Sequence, residues 1–538
     1  MMESLGEETW DTVICGTGLS QSLLALALSR SKKRILHLDA NDFYGEHEAA
    51  LSLQEADTWA QSHAGAGIDV KHQLDNGLAS TKDNAGESVA KWSEDGKVMT
   101  APALSEKVSA IFQNTHVWKH PNAEAQGLSF PRAYSLALAP QIIHTKSKLL
   151  SQLVSSRAYR QVEFLAVGSF FVYGTTDAVS GTTLARIPSS REDVFSAQSI
   201  PARSKRALMK FLKFVIDYDS DEQKPSWQGR ADKPLSEYLV EDFKLDANLR
   251  DSILAMTLTL DGKVTVKDGL TTIHRHLTSI GLFGPGFCAV YPKWGGISEI
   301  AQVGCRAGAV GGSTYMLGAL VSMDESINDG EISLKLSNEV SIRTTTLVTS
   351  QHTGSDTSQS ISRLVAVVNS PLQSLFETSA EGAPTPAVAV IAFPSDSFPN
   401  NPQSGSNVPV YAFVHSSETG ECPSGQCVVY LTMQTTPQSS HILDQALTAL
   451  LQVVTTTADV LYKLYYDQAS SSRQSLVTPR GSAIVFEFPS PSLSLAFDDG
   501  GLEAVHEAWK LIMKNQSDDT FMQFEDRESM GDDDDVYD

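Results

Sequence analysis

The chain has 538 residues, 41% of them hydrophobic and 20% charged, which is ordinary globular material with room for two to four domains at about 150 residues each. A formal net charge of −23 argues against nucleic-acid binding, because neutralising phosphates takes clustered Lys and Arg; it suits plain solubility or a basic partner. No run of eighteen or more apolar residues is present, so no membrane-spanning helix is expected.

The N-terminal "MMESLGEETW" has neither the basic nor the apolar part of a secretory signal, which makes the cytosol the expected compartment. Residues 12–15 read as a short strand, 19–30 as a Leu/Ala-rich helix and 34–38 as a second strand ending at Asp39. Between them Gly16 and Gly18 open a glycine-rich turn of the dinucleotide-binding type, and Asp39 stands 21 residues after Gly18, about where a ribose-binding acid belongs. Gln21 occupies the third glycine's place, and a side chain there is expected to push helix and strand apart. Gly45 is followed by Glu46 instead of a second glycine. The motif therefore reads either as a weakened cofactor site or as a relict turn.

Residues 54–126 are rich in Ala, Ser, Gly, Asp and Lys without periodicity and read as a largely flexible insertion. A helix is expected after Pro140, on the seven-residue repeats Ile142/Leu149 and Ile143/Leu150, and strands within 162–173. Apolar residues at helical spacing (Leu208, Phe211, Leu212, Val215, then Leu270, Ile273, Leu277, Ile280) mark 187–282 as a helical module. Within it His274 and His276 point about 200° apart on a helix, which argues against a metal pair. Strand and helix alternate again over 283–350; "CVVYLTMQT" and "SAIVFEFP" read as strands and "GLEAVHEAWKLIM" as a closing helix. Cys422 and Cys427 lack a second pair, and five cysteines in so long a chain do not suggest disulfides. Residues 514–538 read as an acidic disordered tail without a prenylation signal.

Three stretches carry a resemblance. "GTGLSQSLLALALSRSKKRILHLDANDFYG", the segment from Arg132 ("RAYSLALAPQIIHTKSKLLSQLV…") and "YPKWGGISEIAQVGCRAGAVGGSTYML" at 291–317 resemble, in order, the conserved regions of the Rab GDP-dissociation inhibitor and Rab escort protein superfamily. The insertion and "PSSREDVFSAQSIPARSKRALMKFLKFV" resemble its escort branch, of fungal type. Ala137, in place of a usual acid, and Trp294-Gly295-Gly296, in place of a tighter turn, depart from the pattern.

The resemblance implies a fold of the α/β FAD/NAD(P)-binding (Rossmann-like) type, with 1–186 and 283–513 as one discontinuous domain and 187–282 as an inserted all-helical one. It implies no cofactor, no metal and no catalysis. The expected partners are GDP-bound Rab small GTPases, the Rab geranylgeranyltransferase α/β heterodimer and a geranylgeranyl lipid, with cycling between cytoplasm and membranes. Tyr44, Glu299, Gln302 and Arg306 correspond to Rab-binding positions, Phe195 and Arg206 to transferase-binding positions. Gly16, Gly18 and Asp39 would then be structural.

Each of these residues also has a plainer reading. Tyr44 is equally a half-buried packing residue, Glu299/Gln302/Arg306 a solvated helix stripe, and Phe195 a staple before the next helix. A Rab dissociation inhibitor without transferase contact and, from a different class, a flavin- or NAD-dependent oxidoreductase are the competing functions. The absence of G-x-x-x-x-G-K-[ST] speaks against a GTPase.

Overall fold

The computed structural model describes residues 9–64, 111–175, 182–188, 191–197, 200–323, 330–337, 339–351, 359–378, 380–395, 397–398, 408–455, 457–470, 474–514 and 518–525. Short apolar runs build the first sheet. Strand Thr314–Met316, β2 (Ile35–Leu38), β1 (Thr12–Cys15), Thr346–Ser350 and Ala483–Phe488 lie side by side and parallel, with Leu476–Arg480 antiparallel at one edge. Parallel strands covered on both faces need apolar residues throughout, and Val13, Ile14, Leu36, Leu38, Leu347 and Val348 are all fully buried. Helix α1 (Leu19–Leu28) is apolar almost all round because it is enclosed. Helices Ile297–Val310 and Gly500–Met513 pack against it.

A second, mostly antiparallel sheet runs in the order Phe112–Lys119, Val460–Ser470, Gln359–Val368, Cys427–Gln434, Val410–Ser416, Val388–Phe393, Phe164–Thr175, Ala289–Pro292 and Ile143–His144. One of its faces packs on helix Ser439–Val454. Helices occupy Arg191–Ser196, Ala202–Ile216, Lys224–Trp227, Leu235–Glu241, Ala247–Ala255 and Val266–Ser279. Their buried stripes, Leu208, Phe211, Leu212 and Val215 on one helix and Leu270 and Ile273 on another, share a core with Phe170 of the sheet.

Three sequence expectations need correction. Residues 54–126 are not an insertion at their ends. Leu53–His63 is a helix closed by a capping box between Ser52 and Glu55, and Trp59 packs edge-on against Phe112 and Tyr466; residues 65–110 lie outside the described part. Ile142 and Ile143 are not helical. Ile143 pairs with Val290 across the sheet, and the helix begins only at Lys148, where the Ser147 hydroxyl accepts from the Leu149 N–H at 3.2 Å; the seven-residue repeat spans a strand, a turn and a helix. The tail does not leave the body at 514. Met522 is buried, Phe521 lies against His506 and Trp509, and the Arg30 guanidinium sits 4.4 Å over the Phe524 ring; residues 526–538 lie outside the described part.

Helix Ile297–Val310 comes unusually close to α1. A Cβ on Gly304 would stand 2.5 Å from the Ser22 carbonyl oxygen, and one on Gly311 would be closer still to that of Ser29. Glycine spends helix propensity here to let two backbones touch. Gly304→Ala should therefore destabilise the chain by about 1–3 kcal/mol, despite alanine's intrinsic helical advantage, because backbone cannot yield as a side chain can. Denaturant unfolding of the variant checks this; unchanged or increased stability would show that the two helices do not pack this closely.

Candidate functional site

The glycine-rich turn leaves β1 with Gly16 at φ +94°, and Gly18 precedes α1. In a dinucleotide-binding protein the amides here and the helix dipole receive a pyrophosphate. In this chain they receive its own carboxylates. The Leu19 N–H donates to Glu48 Oε2 at 3.1 Å, and the Gly18 N–H bonds the Glu46 carboxylate. A Cβ on Gly16 would stand 2.6 Å from Glu46 Oε2, and one on Gly18 would lie 3.1 Å from both Glu46 Oε2 and Glu48 Oε2.

Gln21 does not splay helix from strand. It is buried, and its amide donates to the Ser350 hydroxyl and to Glu46 Oε2. Asp39 is likewise taken: Oδ2 accepts from the Thr17 N–H at 2.8 Å and its hydroxyl at 2.5 Å, and Oδ1 from the Asn41 N–H at 2.8 Å. A dinucleotide does not fit a cradle filled this way. Gly16, Gly18 and Asp39 are thus knit into the chain's own hydrogen bonds.

Filling the cradle with buried acids has an electrostatic cost. Burial raises the Glu46 carboxyl to about 7 against the opposing pull of His47. Burial would lower His47, but Glu48, whose carboxylate is 3.0 Å from its Nε2, and Glu46 outweigh that and raise it to about 9.

The same turn delivers Tyr44. Gly45 (φ +100°) has no room for a side chain beside the Ala49 backbone, and a Cβ there would meet Ser298 Oγ at 3.2 Å. So the 44–45 turn rests on helix Ile297–Val310. Tyr44 is partly exposed; burial raises its phenol, and Cys305 of that helix and Asp39 add to the shift. On the helix Glu299 and Gln302 are half-buried and Arg306 is exposed, while Ile300, Ala301 and Val303 turn into the core. Burial raises the Glu299 carboxyl and Arg306, two turns on, partly offsets it. The Gln302 amide reaches Ser298 Oγ at 3.5 Å, and Arg306 Nη1 reaches Gln161 Oε1 at 3.5 Å, the outer limit of a hydrogen bond. The four residues thus share one polar helix and the turn beside it.

What holds this helix at its start was not legible. Tyr291, in strand Ala289–Pro292, donates to Glu421 Oε1 at 2.7 Å; Glu421 Oε2 meets His415 Nδ1 at 2.7 Å and accepts from Tyr430 at 2.9 Å, all fully buried or nearly so. The Trp294-Gly295-Gly296 turn follows, with three consecutive positive φ values of 72°, 120° and 68°. Gly296 is required because a Cβ would lie 2.5 Å from the Tyr291 hydroxyl, and Gly295 because one would strike Ala50. Trp294 is pinned by its N–H to the Thr419 carbonyl at 2.8 Å, yet the residue is 54% exposed. A large exposed aromatic beside a polar helix is an interface feature that sequence reasoning treated only as a departure. Ala137, the other departure, is buried and donates its N–H to the Tyr430 hydroxyl.

Phe195 and Arg206 lie apart from this group, on the first two of the helices between the sheets' segments. Phe195 is 63% exposed on helix Arg191–Ser196. Arg206 is exposed on helix Ala202–Ile216, where its Nε bonds the Ala202 carbonyl; its neighbour Lys205 reaches the Phe195 carbonyl at 2.9 Å. The two helices therefore touch through Lys205, and Phe195 and Arg206 are each exposed on their own helix. On the second of them Met209 and Phe214 pack against the core while Ile216 is exposed.

The family model described as "GDP dissociation inhibitor" matches residues 6–72 and 81–475. "Rab proteins geranylgeranyltransferase component A" of Saccharomyces cerevisiae is 29% identical over 448 residues, covering 82% of this chain and 64% of that protein. The protein of the same name from Candida albicans is 28% identical over 434 residues, covering 78% of this chain and 58% of that one. The match thus spans less than two thirds of these relatives' length. Among solved structures, Rab GDI from Plasmodium falciparum superposes with a TM-score of 0.62 at 17% identity, covering 95% of this chain and 99% of the other, which establishes a common fold.

The filled cradle sets a pH dependence. Glu46 and His47 both hold protons more tightly folded than unfolded, so the stability they contribute is full below their unfolded values and lost as pH rises, for Glu46 through about 7 and for His47 through about 9. Denaturation midpoints should fall between about pH 5 and pH 9, and Glu46→Gln should flatten the lower part of that fall. An unaltered pH profile in Glu46→Gln would contradict the burial of this carboxylate.

Proposed function

Because the chain belongs to the GDP dissociation inhibitor family, we propose that it is a non-catalytic escort for Rab small GTPases. On this reading it binds the GDP-loaded, unprenylated Rab on the Tyr44/Glu299/Gln302/Arg306 face. Phe195 and Arg206 hold the Rab geranylgeranyltransferase heterodimer, and the chain then shields the geranylgeranyl groups and releases the Rab to membrane. The chemistry belongs to the transferase. This chain supplies geometry: tethering the Rab's flexible cysteine-bearing tail near an active site makes its capture intramolecular.

The observation that carries the reading is the polar stripe of helix Ile297–Val310 beside Tyr44, on a body whose nucleotide cradle is filled by Glu46 and Glu48. Tyr44 offers a rigid ring with one polar tip, and Arg306 a planar fork matched to a carboxylate. The names of the relatives, component A of the geranylgeranyltransferase, favour the escort role over a recycling inhibitor. Lipid shielding asks more of the fold. A twenty-carbon chain gains about 0.8 kcal/mol per buried methylene, but the cavity of about 270 Å³ between the helices and the sheet is lined by Arg186 and Asp193 as well as apolar groups. It lies below the usual range for ligands of that size. Accommodating the lipid there therefore requires the elements lining this cavity to separate.

Two measurements test the proposal. Prenylation of a Rab by purified transferase should depend on added chain, and Phe195→Ala should abolish most of that dependence while leaving Rab binding intact. A reaction indifferent to the chain removes the escort role, and stimulation that survives Phe195→Ala removes Phe195 from it. In titration calorimetry Arg306→Ala should weaken binding of GDP-loaded Rab by about tenfold or more, and Arg306→Lys should recover little of it, since an ammonium cannot form the fork. Full affinity in Arg306→Lys would show that only charge matters at this position.

A further inference from the structure

His144, His276 and Cys288 come from three separate segments and meet inside the protein. His144 ends the short strand Ile143–His144, His276 lies in the last turn of helix Val266–Ser279, and Cys288 precedes strand Ala289–Pro292. All three are buried, at 1%, 2% and 4% exposure, and their ligand atoms lie within 4.8 Å of one another. Cys288 Sγ stands 3.6 Å from His276 Nδ1 and 3.8 Å from Nε2. A thiol–imidazole hydrogen bond explains that pair but leaves His144 unexplained. Both of its ring nitrogens are buried without a hydrogen-bond partner, which a native core rarely tolerates.

We infer that these three residues bind a transition-metal ion, zinc in the first instance, as a two-histidine, one-cysteine site. The donor set of two imidazoles and a thiolate is what zinc takes. Ligand bonds of about 2.0 Å to nitrogen and 2.3 Å to sulfur give a tetrahedral N···S edge of about 3.5 Å, close to the Cys288–His276 distances of 3.6 and 3.8 Å. His276 and Cys288 also line the cavity of about 270 Å³, which admits a water to the fourth coordination position.

The protonation states suit binding. Burial disfavours the charged form of both histidines, and a neutral imidazole coordinates through a ring nitrogen. Burial pushes the Cys288 thiol up to about 12; the incoming cation displaces that proton, forming one metal–sulfur bond and releasing one proton to solvent. The ion would tie the last helix of the helical layer to two strands of the large sheet. That junction already carries the Thr145 N–H on the Cys288 carbonyl at 3.0 Å and the Thr145 hydroxyl on the Ser279 carbonyl at 2.6 Å.

The test uses the full chain, stripped with a chelator and titrated with Co²⁺ as the spectroscopic stand-in for zinc. The expected result is one ion per chain, with a thiolate-to-cobalt charge-transfer band and the visible absorption of tetrahedral cobalt, both displaced by zinc. Cys288→Ala should lose the charge-transfer band while Cys427→Ala keeps it, and His144→Phe should weaken zinc binding at least about tenfold. Absence of the band in the wild-type chain, or its persistence in Cys288→Ala, would overturn the assignment. The wild-type titration decides the matter even where a variant fails to fold.

Discussion

The N-terminus of α1 demands an anion, and the way this chain meets that demand governs much of the rest. Amides at the end of a helix that follows a glycine turn carry partial positive charge and lack intrahelical acceptors. In the dinucleotide-binding architecture a pyrophosphate answers them. Here Glu48 and Glu46 do so from the turn that follows β2. Two acids held in so small a space require His47 between them, and the three residues together anchor the turn that carries Tyr44 and Gly45. The turn is thereby braced at the place where the dinucleotide-binding architecture holds its pyrophosphate.

The brace matters because of what it faces. Gly45 rests against Ser298, and Gly304 and Gly311 hold the same helix against the α1 backbone. At its start the helix is fixed by Tyr291, Glu421, His415 and Tyr430, a buried network in which the carboxylate meets three partners. The carboxylate of Glu421 is fully engaged, while His415 Nε2 is buried without a hydrogen-bond partner, and the low local dielectric strengthens each bond the network does make. The side chains of Glu299, Gln302 and Arg306 are thus presented by a helix whose position is determined on two sides. Pre-organisation of this kind lowers the entropy lost when a partner docks.

Much of this was legible in the sequence, for physical reasons. The parallel sheet announced itself in "TVIC" and "RILHL", whose apolar runs have no other use than burial from both sides. The stripe of Glu299, Gln302 and Arg306 presupposed a helix, which Ile297–Val310 supplies, and the helices between 202 and 279 followed from the three-and-four spacing of their apolar residues. What was missed depends on tertiary partners. Gln21 looked like an obstruction because its hydrogen-bonding to Ser350, 329 residues away, is invisible locally. The Ile142/Leu149 repeat imitated a helix because a strand, a turn and a helix happened to place apolar residues seven apart. His276 was set aside with His274 on sound helical geometry, yet its neighbours His144 and Cys288 come from elsewhere in the chain. Composition marked 54–126 as loose, while Trp59 and Phe112 at its ends carry the apolar anchors.

The account stands or falls on whether the brace and the helix beside it form the docking face. Hydrogen–deuterium exchange of the full chain, with and without a GDP-loaded Rab, measures this directly. Slowed exchange confined chiefly to residues 41–48 and 297–310 is the predicted result. A stable complex that leaves both segments exchanging as in the free chain would contradict it.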